Sequence, residues 1–332
     1  MWFFNSYIGM YTVQAFCHSL IAAIIVDRAI QSWEIRNPLI QHKFRLITLL
    51  FPVFSFPIFQ IINPERGSIY FREDIALFDI NRWLALEIWG KIPISLLLFL
   101  ILTGTTLIFL FQEIIPILRH TFDSRNSNIL KRKPEEGSVV NEVIQSIPVN
   151  RPELFIIEDD EPLLYSTSGT NPAVFLSTGL INTLDRDHLQ AALAHEIAHI
   201  MWRKSLLVWF IFFARILMFF NPVILVEFRR IVQEEEKICD DMAVSLTQKP
   251  LALADTLKRL YYVTENLSPF KLTRPSRIKM ALEDYSHNIL IESRISRLEK
   301  EGLGDLVHKK DGEWFKFSLV LTVILIINYF VV

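Results

Sequence analysis

Five stretches of this chain carry almost no charge, and they restrict its fold more than any other feature. Residues 8–26, 46–62 and 92–111 contain no Asp, Glu, Lys or Arg, 205–226 contain only Arg215, and 317–332 again contain none. Crossing a hydrocarbon core of about 30 Å takes roughly 20 apolar helical residues, the length of the 92–111 run. Pro52 and Pro57 predict a kink in the second stretch, since each removes an N–H and clashes with the preceding turn. Composition agrees, with 51% hydrophobic residues, 26 Phe and only 21% charged residues among 332. The chain is therefore expected to be mainly α and integral to a membrane. Residues 1–118 form a membrane domain of three spans, and 313–332 form a C-terminal transmembrane helix preceded by the collar Trp314, Phe315 and Lys316.

The first stretch has no Lys or Arg before Arg28 and no small-x-small cleavage site, so it reads as a retained helix rather than a signal peptide. Arg28, Arg36, Lys43 and Arg45 follow the first span, and Lys309, Lys310 and Lys316 precede the last. By the positive-inside rule both termini face outward from a cell (inner, cytoplasmic) membrane, and 112–316 is cytoplasmic. The 63–91 loop, with four basic residues of its own, fits this scheme least. A net charge of -2 gives no electrostatic case for nucleic acid. Ten glycines offer no Gly-rich phosphate loop, and Cys17 and Cys239 are too few for a disulfide scaffold.

Between the membrane segments, 119–152 reads as a polar linker with a short helix near 138–146. Three β-like runs follow at 154–157, 163–167 and 173–177, separated by turn chemistry. Asp185 is a plausible N-cap for a helix, and 226–247 and 251–264 read as further helices, with 276–300 as a charged amphipathic pair. Residues 153–312 are thus expected to form a cytosolic α+β domain.

Residues 195–199 read His-Glu-Ile-Ala-His. A chain of this length contains HExxH by chance on the order of one time in a hundred, so the motif calls for a chemical reading. Positions i and i+4 share a helix face, so His195 and His199 can reach one Zn²⁺, while Glu196 stands beside the open position as a general base. A third ligand is needed, and Glu236, in the run Glu236-Lys237-Ile238-Cys239-Asp240, can supply it. Glu234 and Glu235 compete for that role, and the four-residue spacing to Asp240 favours Glu236, with Asp240 accepting the free ring N–H of a ligand histidine. Cys239 and His188 read instead as a small buried residue and an exposed first-turn residue. One zinc per chain is expected. Because Glu236 has to meet both histidines, 205–226 cannot cross the membrane once. It is either a re-entrant apolar hairpin broken at Asn221-Pro222 or a buried core helix of the cytosolic domain.

The stretch from Asn171-Pro172-Ala173 through Thr178-Gly179-Leu180 to Ala194-His195-Glu196-Ile197-Ala198-His199 resembles the BlaR/MecR-type membrane metallopeptidases, the antirepressor family of beta-lactam sensor-transducers and their sensorless relatives. Phe220-Asn221-Pro222, Glu236-x-x-Cys239-Asp240 and Arg294-Ile295 extend the likeness across roughly 150–300. The resemblance implies a gluzincin-type domain with His195, His199 and Glu236 as zinc ligands and Glu196 catalytic. It also implies a substrate strand added to the edge of the sheet at 163–177, and protein or peptide substrates that include transcriptional repressors. Arg294 is a candidate oxyanion or substrate contact. Membrane lipid is the other expected partner, and a homodimer is compatible with this reading. The chain departs from the family at Lys204, where an acidic residue is common, and no penicillin-binding sensor domain is expected beyond Val332.

The leading expectation is a membrane-embedded zinc endopeptidase for regulatory proteins. An HtpX-type or CAAX-type quality-control or processing protease shares HExxH and Glu-x-x-x-Asp. A non-proteolytic transducer with a structural zinc site would not need Glu196, and a transporter would carry more ionisable residues in its spans.

Overall fold

The computed structural model describes Phe4 and residues 6–115, 131–149, 152–167, 171–202, 206–265, 291–300 and 313–332. The linker before 131, the amphipathic stretch before 291, Lys204 and the Lys309-Lys310 pair lie outside the described residues. The chain is mostly helical and divides into two compact units. One comprises Met1–Phe111, Trp209–Glu234 and Lys309–Val332, the other Gln112–Val208 and Glu235–His308.

In the first unit, helices α1 (Tyr7–Ser32) and α2 (Pro38–Ile62) are long and apolar enough to cross a membrane. Ser6 caps α1 by accepting from the Gly9 N–H, and Asn37 caps α2 with Pro38 in the first turn, where its missing N–H costs nothing. The α2 helix runs through Pro52 and Pro57. A short helix α3 (Ile80–Leu84) and a hairpin of strands β1 (Glu87–Ile88) and β2 (Ile92–Pro93) precede α4 (Ile94–Phe109), which continues to Ile114 as the third helix of spanning length. The start of the apolar 92–111 run is therefore strand. Trp89 and Gly90, both at positive φ, make the turn.

The second unit opens on β3 (Lys131–Arg132), inside the segment expected as linker, and on helix α5 (Val139–Ser146). Strands β4 (Glu153–Ile157), β5 (Leu164–Thr167) and β6 (Ala173–Ser177) complete a four-stranded sheet in the order β3-β4-β6-β5. The β4 strand pairs with β6 in parallel and β5 with β6 antiparallel, leaving β5 at an edge. Ser177 ends β6 and starts α6 (Thr178–Thr183), its hydroxyl donating to the Glu161 carbonyl and accepting from the Leu163 and Leu180 N–H groups. Helix α7 (Arg186–Trp202) follows. Its buried Ala191, Ala192, Ala194 and Ala198 let neighbours approach on nearly every side, as a helix apolar all round requires. Leu154, Ile156, Val174 and Leu176 of the sheet pack against Leu189, Leu193 and Ile197 of α7, the period-2 alternation of the strands meeting the helix.

Helices α8 (Leu206–Leu217) and α9 (Pro222–Thr247) form a hairpin whose turn is held by the first unit's own helices. Tyr11 Oη lies 4.0 Å from Met218 Sδ, and Asn221 Nδ2 donates to Ser19 Oγ (3.1 Å) and the Ala15 carbonyl (3.4 Å) while its Oδ1 accepts from the Val223 N–H. Farther along α1, Asp27 meets Arg230, and Arg45 joins Asp27 to Glu227 at 3.1–3.2 Å. The turn thus lies about 12–24 Å along α1 from the Asp27 level, at 1.5 Å per residue. Arg215, the lone charge in the apolar run, places its guanidinium 4.7 Å from the Phe109 ring centroid. Trp209, Phe213 and Ile216 are exposed.

Helix α10 (Pro250–Glu265), a helical stretch over 291–300 designated α11, and α12 (Glu313–Tyr329) complete the described chain. The last of these is apolar but shorter than the three spanning helices. Its final carbonyls are held by Arg66, which is fully buried and donates to Tyr329 O (2.8 Å), Asn328 O (3.0 Å) and Gln14 Oε1 (2.9 Å). Arg72 is likewise paired, with Asp79 at 2.8 Å. Two of the four basic residues of the 63–91 loop therefore have structural partners.

Gly179 is tested by its surroundings, because an added Cβ would sit 2.1 Å from the Asp160 carbonyl oxygen. Gly179→Ala is expected to destabilise the second unit by about 1–3 kcal/mol through backbone displacement, lowering its thermal unfolding midpoint in detergent. Gly104→Ala, where nothing lies within 4 Å, should melt with wild type. Identical melting of Gly179→Ala and wild type would contradict this packing.

Candidate metal centre

The site is assembled from α7, the later part of α9 and α11, all within the second unit. Asp185 starts α7 by accepting from the Asp187 and His188 N–H groups at 3.1 Å. His188 is partly buried and bridges Asp185 (2.7 Å) and Asp255 (2.8 Å), away from the motif's histidines. One turn of helix separates His195 from His199, and their Nε2 atoms stand 3.1 Å apart. Glu236 faces both, with Oε2 3.5 Å from His195 Nε2 and Oε1 3.4 Å from His199 Nε2.

These separations fit a metal ion. Nitrogen and oxygen ligands about 2.0–2.1 Å from tetrahedral zinc lie about 3.3 Å from one another; the two Nε2 atoms are 3.1 Å apart, and each has one of the two Glu236 oxygens within 3.5 Å. Among the described residues, His195, His199 and Glu236 form the His/Cys/Asp/Glu group with ligand atoms that converge, and neither Glu234 nor Glu235 belongs to it. Glu196 is 8% exposed and close enough to His199 to favour its charged form.

Behind the three groups is a second layer of buried polar contacts. Asp240, fully buried one turn beyond Glu236, brings Oδ1 to 3.1 Å from His195 Nδ1. Arg294 is 3% exposed and donates through Nε and Nη2 to Asp240 (2.7 Å each) and through Nη1 to Glu236 Oε2 (3.0 Å). Three of its five N–H donors are engaged by carboxylates. Cys239, expected to be a packing residue turned away from Glu236's face, puts Sγ 3.4 Å from His199 Nδ1. The clue in the sequence is its i+3 spacing from Glu236, which makes the two neighbours on the helix surface.

The charges are mutually dependent. Burial opposes ionisation of Glu236, yet His199 and Arg294 hold its carboxyl well below the usual carboxylate range. Burial likewise opposes ionisation of Asp240, but Arg294 and His195 bring it down to about 2. Burial disfavours a charged His195, but Asp240 and Glu236 outweigh it and carry the imidazole up to about 9, whereas burial keeps His199 below its ordinary value. Burial, then the Glu236 and Asp240 carboxylates, push the Cys239 thiol far up, so it stays protonated.

Two outcomes follow for metal binding. Coordination through His195 Nε2 requires a neutral ring, so Zn²⁺ displaces a proton that the metal-free site holds up to about pH 9. Apparent zinc affinity should rise about tenfold per pH unit through neutrality and level off above about pH 9. A chelator competition giving a flat profile from pH 7 to 9 would contradict it. Asp240→Ala should weaken zinc binding about 10–100-fold by freeing the ring it orients, and Cys239→Ala, which removes a weaker contact, should weaken it less. Equal affinities for wild type and Asp240→Ala would remove Asp240 from the site.

Residues 88–264, more than half of the chain, match the family profile described as BlaR1 peptidase M56. Curated relatives include the protease HtpX homolog of Leuconostoc citreum (strain KM20), 26% identical over 218 residues that cover 50% of this chain and 73% of that protein. The HtpX homolog of Thermodesulfovibrio yellowstonii is 23% identical, over 50% of this chain and 74% of that one. A shorter match to the Thermoanaerobacter pseudethanolicus HtpX homolog, 33% identical, spans 23% of this chain and 27% of the relative's length. The crystal structure of S. mikatae Ste24p superposes with a TM-score of 0.33 and 16% identity, covering 79% of this chain and 66% of that one, too loosely to bear on the fold. The chain belongs to the peptidase M56 family, that of the BlaR1 peptidase, and so to the membrane metallopeptidases.

Proposed function

We propose that this protein is a membrane-embedded, zinc-dependent endopeptidase of gluzincin type, in which His195, His199 and Glu236 hold one Zn²⁺ and Glu196 is the catalytic base. The observation that carries the reading is the grouping of His195, His199 and Glu236 on two helices, with the histidine Nε2 atoms 3.1 Å apart and a Glu236 carboxylate oxygen within 3.5 Å of each. A bound Zn²⁺ supplies an electrophile that polarises the scissile carbonyl and makes water nucleophilic near neutral pH. Glu196 accepts the proton of the attacking water and delivers one to the departing amine. Asp240 accepts a hydrogen bond from the Nδ1–H of His195, leaving the Nε2 lone pair free for the metal, and the Cys239 sulfur lies where the Nδ1–H of His199 can point. Arg294 acts on substrate only indirectly, by fixing Asp240 and Glu236.

The substrate is a polypeptide in extended form. β5 is an edge strand and packs against α7, so a substrate strand can add to the sheet beside the helix that carries Glu196. Orientation follows the basic residues: termini outside, catalytic unit cytoplasmic, in the cell membrane. The α8–α9 hairpin is re-entrant, entering and leaving the bilayer from the side on which Glu236 meets the histidines. Its turn at the Tyr11–Ser19 level of α1 and its exposed aromatic side chains support this.

Two substrate classes have about equal support. The family profile favours cleavage of a cytosolic regulator such as a transcriptional repressor, whereas the curated relatives favour HtpX-type quality control. Glu196, unnecessary for holding a metal, speaks against a purely structural zinc site.

The test is cleavage by wild type and Glu196→Gln in nanodiscs, with zinc measured on both and with an unfolded protein and a co-encoded repressor offered as substrates. Both proteins should hold about one zinc, and the variant should lose cleavage by a factor of about 10² or more. Preference for the repressor selects regulation, and preference for the unfolded chain selects quality control. Full cleavage by Glu196→Gln would overturn the mechanism.

A further inference from the structure

We propose that the first unit carries a binding site for one anionic phospholipid, seated in a groove between α2 and the C-terminal helix α12. The groove has a volume of about 540 Å³ and is walled on one side by Phe44, Ile47, Phe51 and Phe54, and on the other by Phe317 and Leu321. Its lining is almost wholly carbon. The one hydroxyl there, that of Ser55, is engaged by His18 Nδ1 at 2.8 Å.

Shape selects the occupant. Between Lys43 and Phe59 the groove follows α2 for about 24 Å. A single hydrocarbon chain fits, and the length exceeds the roughly 15 Å that one leaflet of the hydrocarbon core spans.

Charge selects the head group and its direction. At one end Trp33, Phe44, Phe317 and Trp314 form an aromatic collar, with successive ring centroids 5.8–6.4 Å apart. Lys43 lines the groove at this end, and Lys316 Nζ lies 5.4 Å from the Trp33 ring centroid. Among the described residues neither lysine has a carboxylate partner within salt-bridge distance. Arg66 at the far end is fully buried and committed to helix carbonyls. An amphiphile can therefore satisfy the groove in one direction, with its chain along α2 and its anion at Lys43, the lysine that lines the groove, extending past the lining to Lys316 at Trp33 of the collar.

The full chain, purified in mild detergent, is to be incubated with phosphatidylglycerol or phosphatidylcholine of identical dioleoyl chains, and retained lipid counted by native mass spectrometry. One phosphatidylglycerol should be retained on the order of 25-fold more tightly than phosphatidylcholine, from about fivefold for each lysine. The preference should vanish in Lys43→Gln/Lys316→Gln. Leu50→Trp, which fills the groove, should reduce retention of both lipids while leaving zinc content unchanged. Equal retention of the two lipids by wild type would overturn the proposal without any variant. A preference that survives the double lysine change, or retention indifferent to Leu50→Trp, would assign the lipid to the general annulus and also overturn it.

Discussion

The charge balance around Arg294 underlies the rest of the site. Glu236 and Asp240 sit one turn apart on the same helix face, both removed from water, and each would raise the other's affinity for a proton if left alone. A protonated Glu236 is a poor ligand, and a protonated Asp240 cannot accept the His195 ring proton. Arg294 supplies three charge-assisted hydrogen bonds to the pair and keeps both ionised without solvent. Removing one member of such a buried array leaves an uncompensated charge, a loss of about 3–5 kcal/mol in comparable cases. The ligand geometry is therefore inseparable from a residue that takes no part in ligation.

A second constraint acts on the chain path. On the proposed ligand set, two ligands come from α7 and the third from α9, so the apolar stretch between them would have to return to its starting side. The fold achieves this by turning at Asn221, whose side chain caps α9 and is itself anchored to Ser19 and Ala15. Lower on the return arm, Asp27, Arg45, Glu227 and Arg230 form a network with two charges of each sign. A buried Glu227 is tolerable there because two guanidinium groups reach it.

Much of this was legible in the sequence because it rests on local periodicity. The i, i+4 spacing of His195 and His199 and of Glu236 and Asp240 fixes which side chains share a helix face wherever the helices go. The strand runs at 154–157 and 173–177 were readable as short β-like runs bounded by turn chemistry, and the membrane helices from uninterrupted apolar length. What escaped depends on contacts between distant segments. Arg294 lies 58 residues from Glu236, and nothing local distinguishes an arginine that holds ligands from one that faces substrate. Cys239 touches His199 across 40 residues, so composition could report only that it is buried. The β3 strand is two residues long and exists only through pairing with β4, and Arg66 counted as a loop charge until its carbonyl partners were in place.

The most direct test of the central claim is zinc K-edge X-ray absorption on the purified protein in nanodiscs. About one zinc per chain is expected in a shell of nitrogen and oxygen neighbours at about 2.0–2.1 Å, with two imidazoles and no sulfur. A sulfur neighbour at about 2.3 Å would make Cys239 a ligand and displace Glu236, and a protein without zinc would contradict the site as a whole.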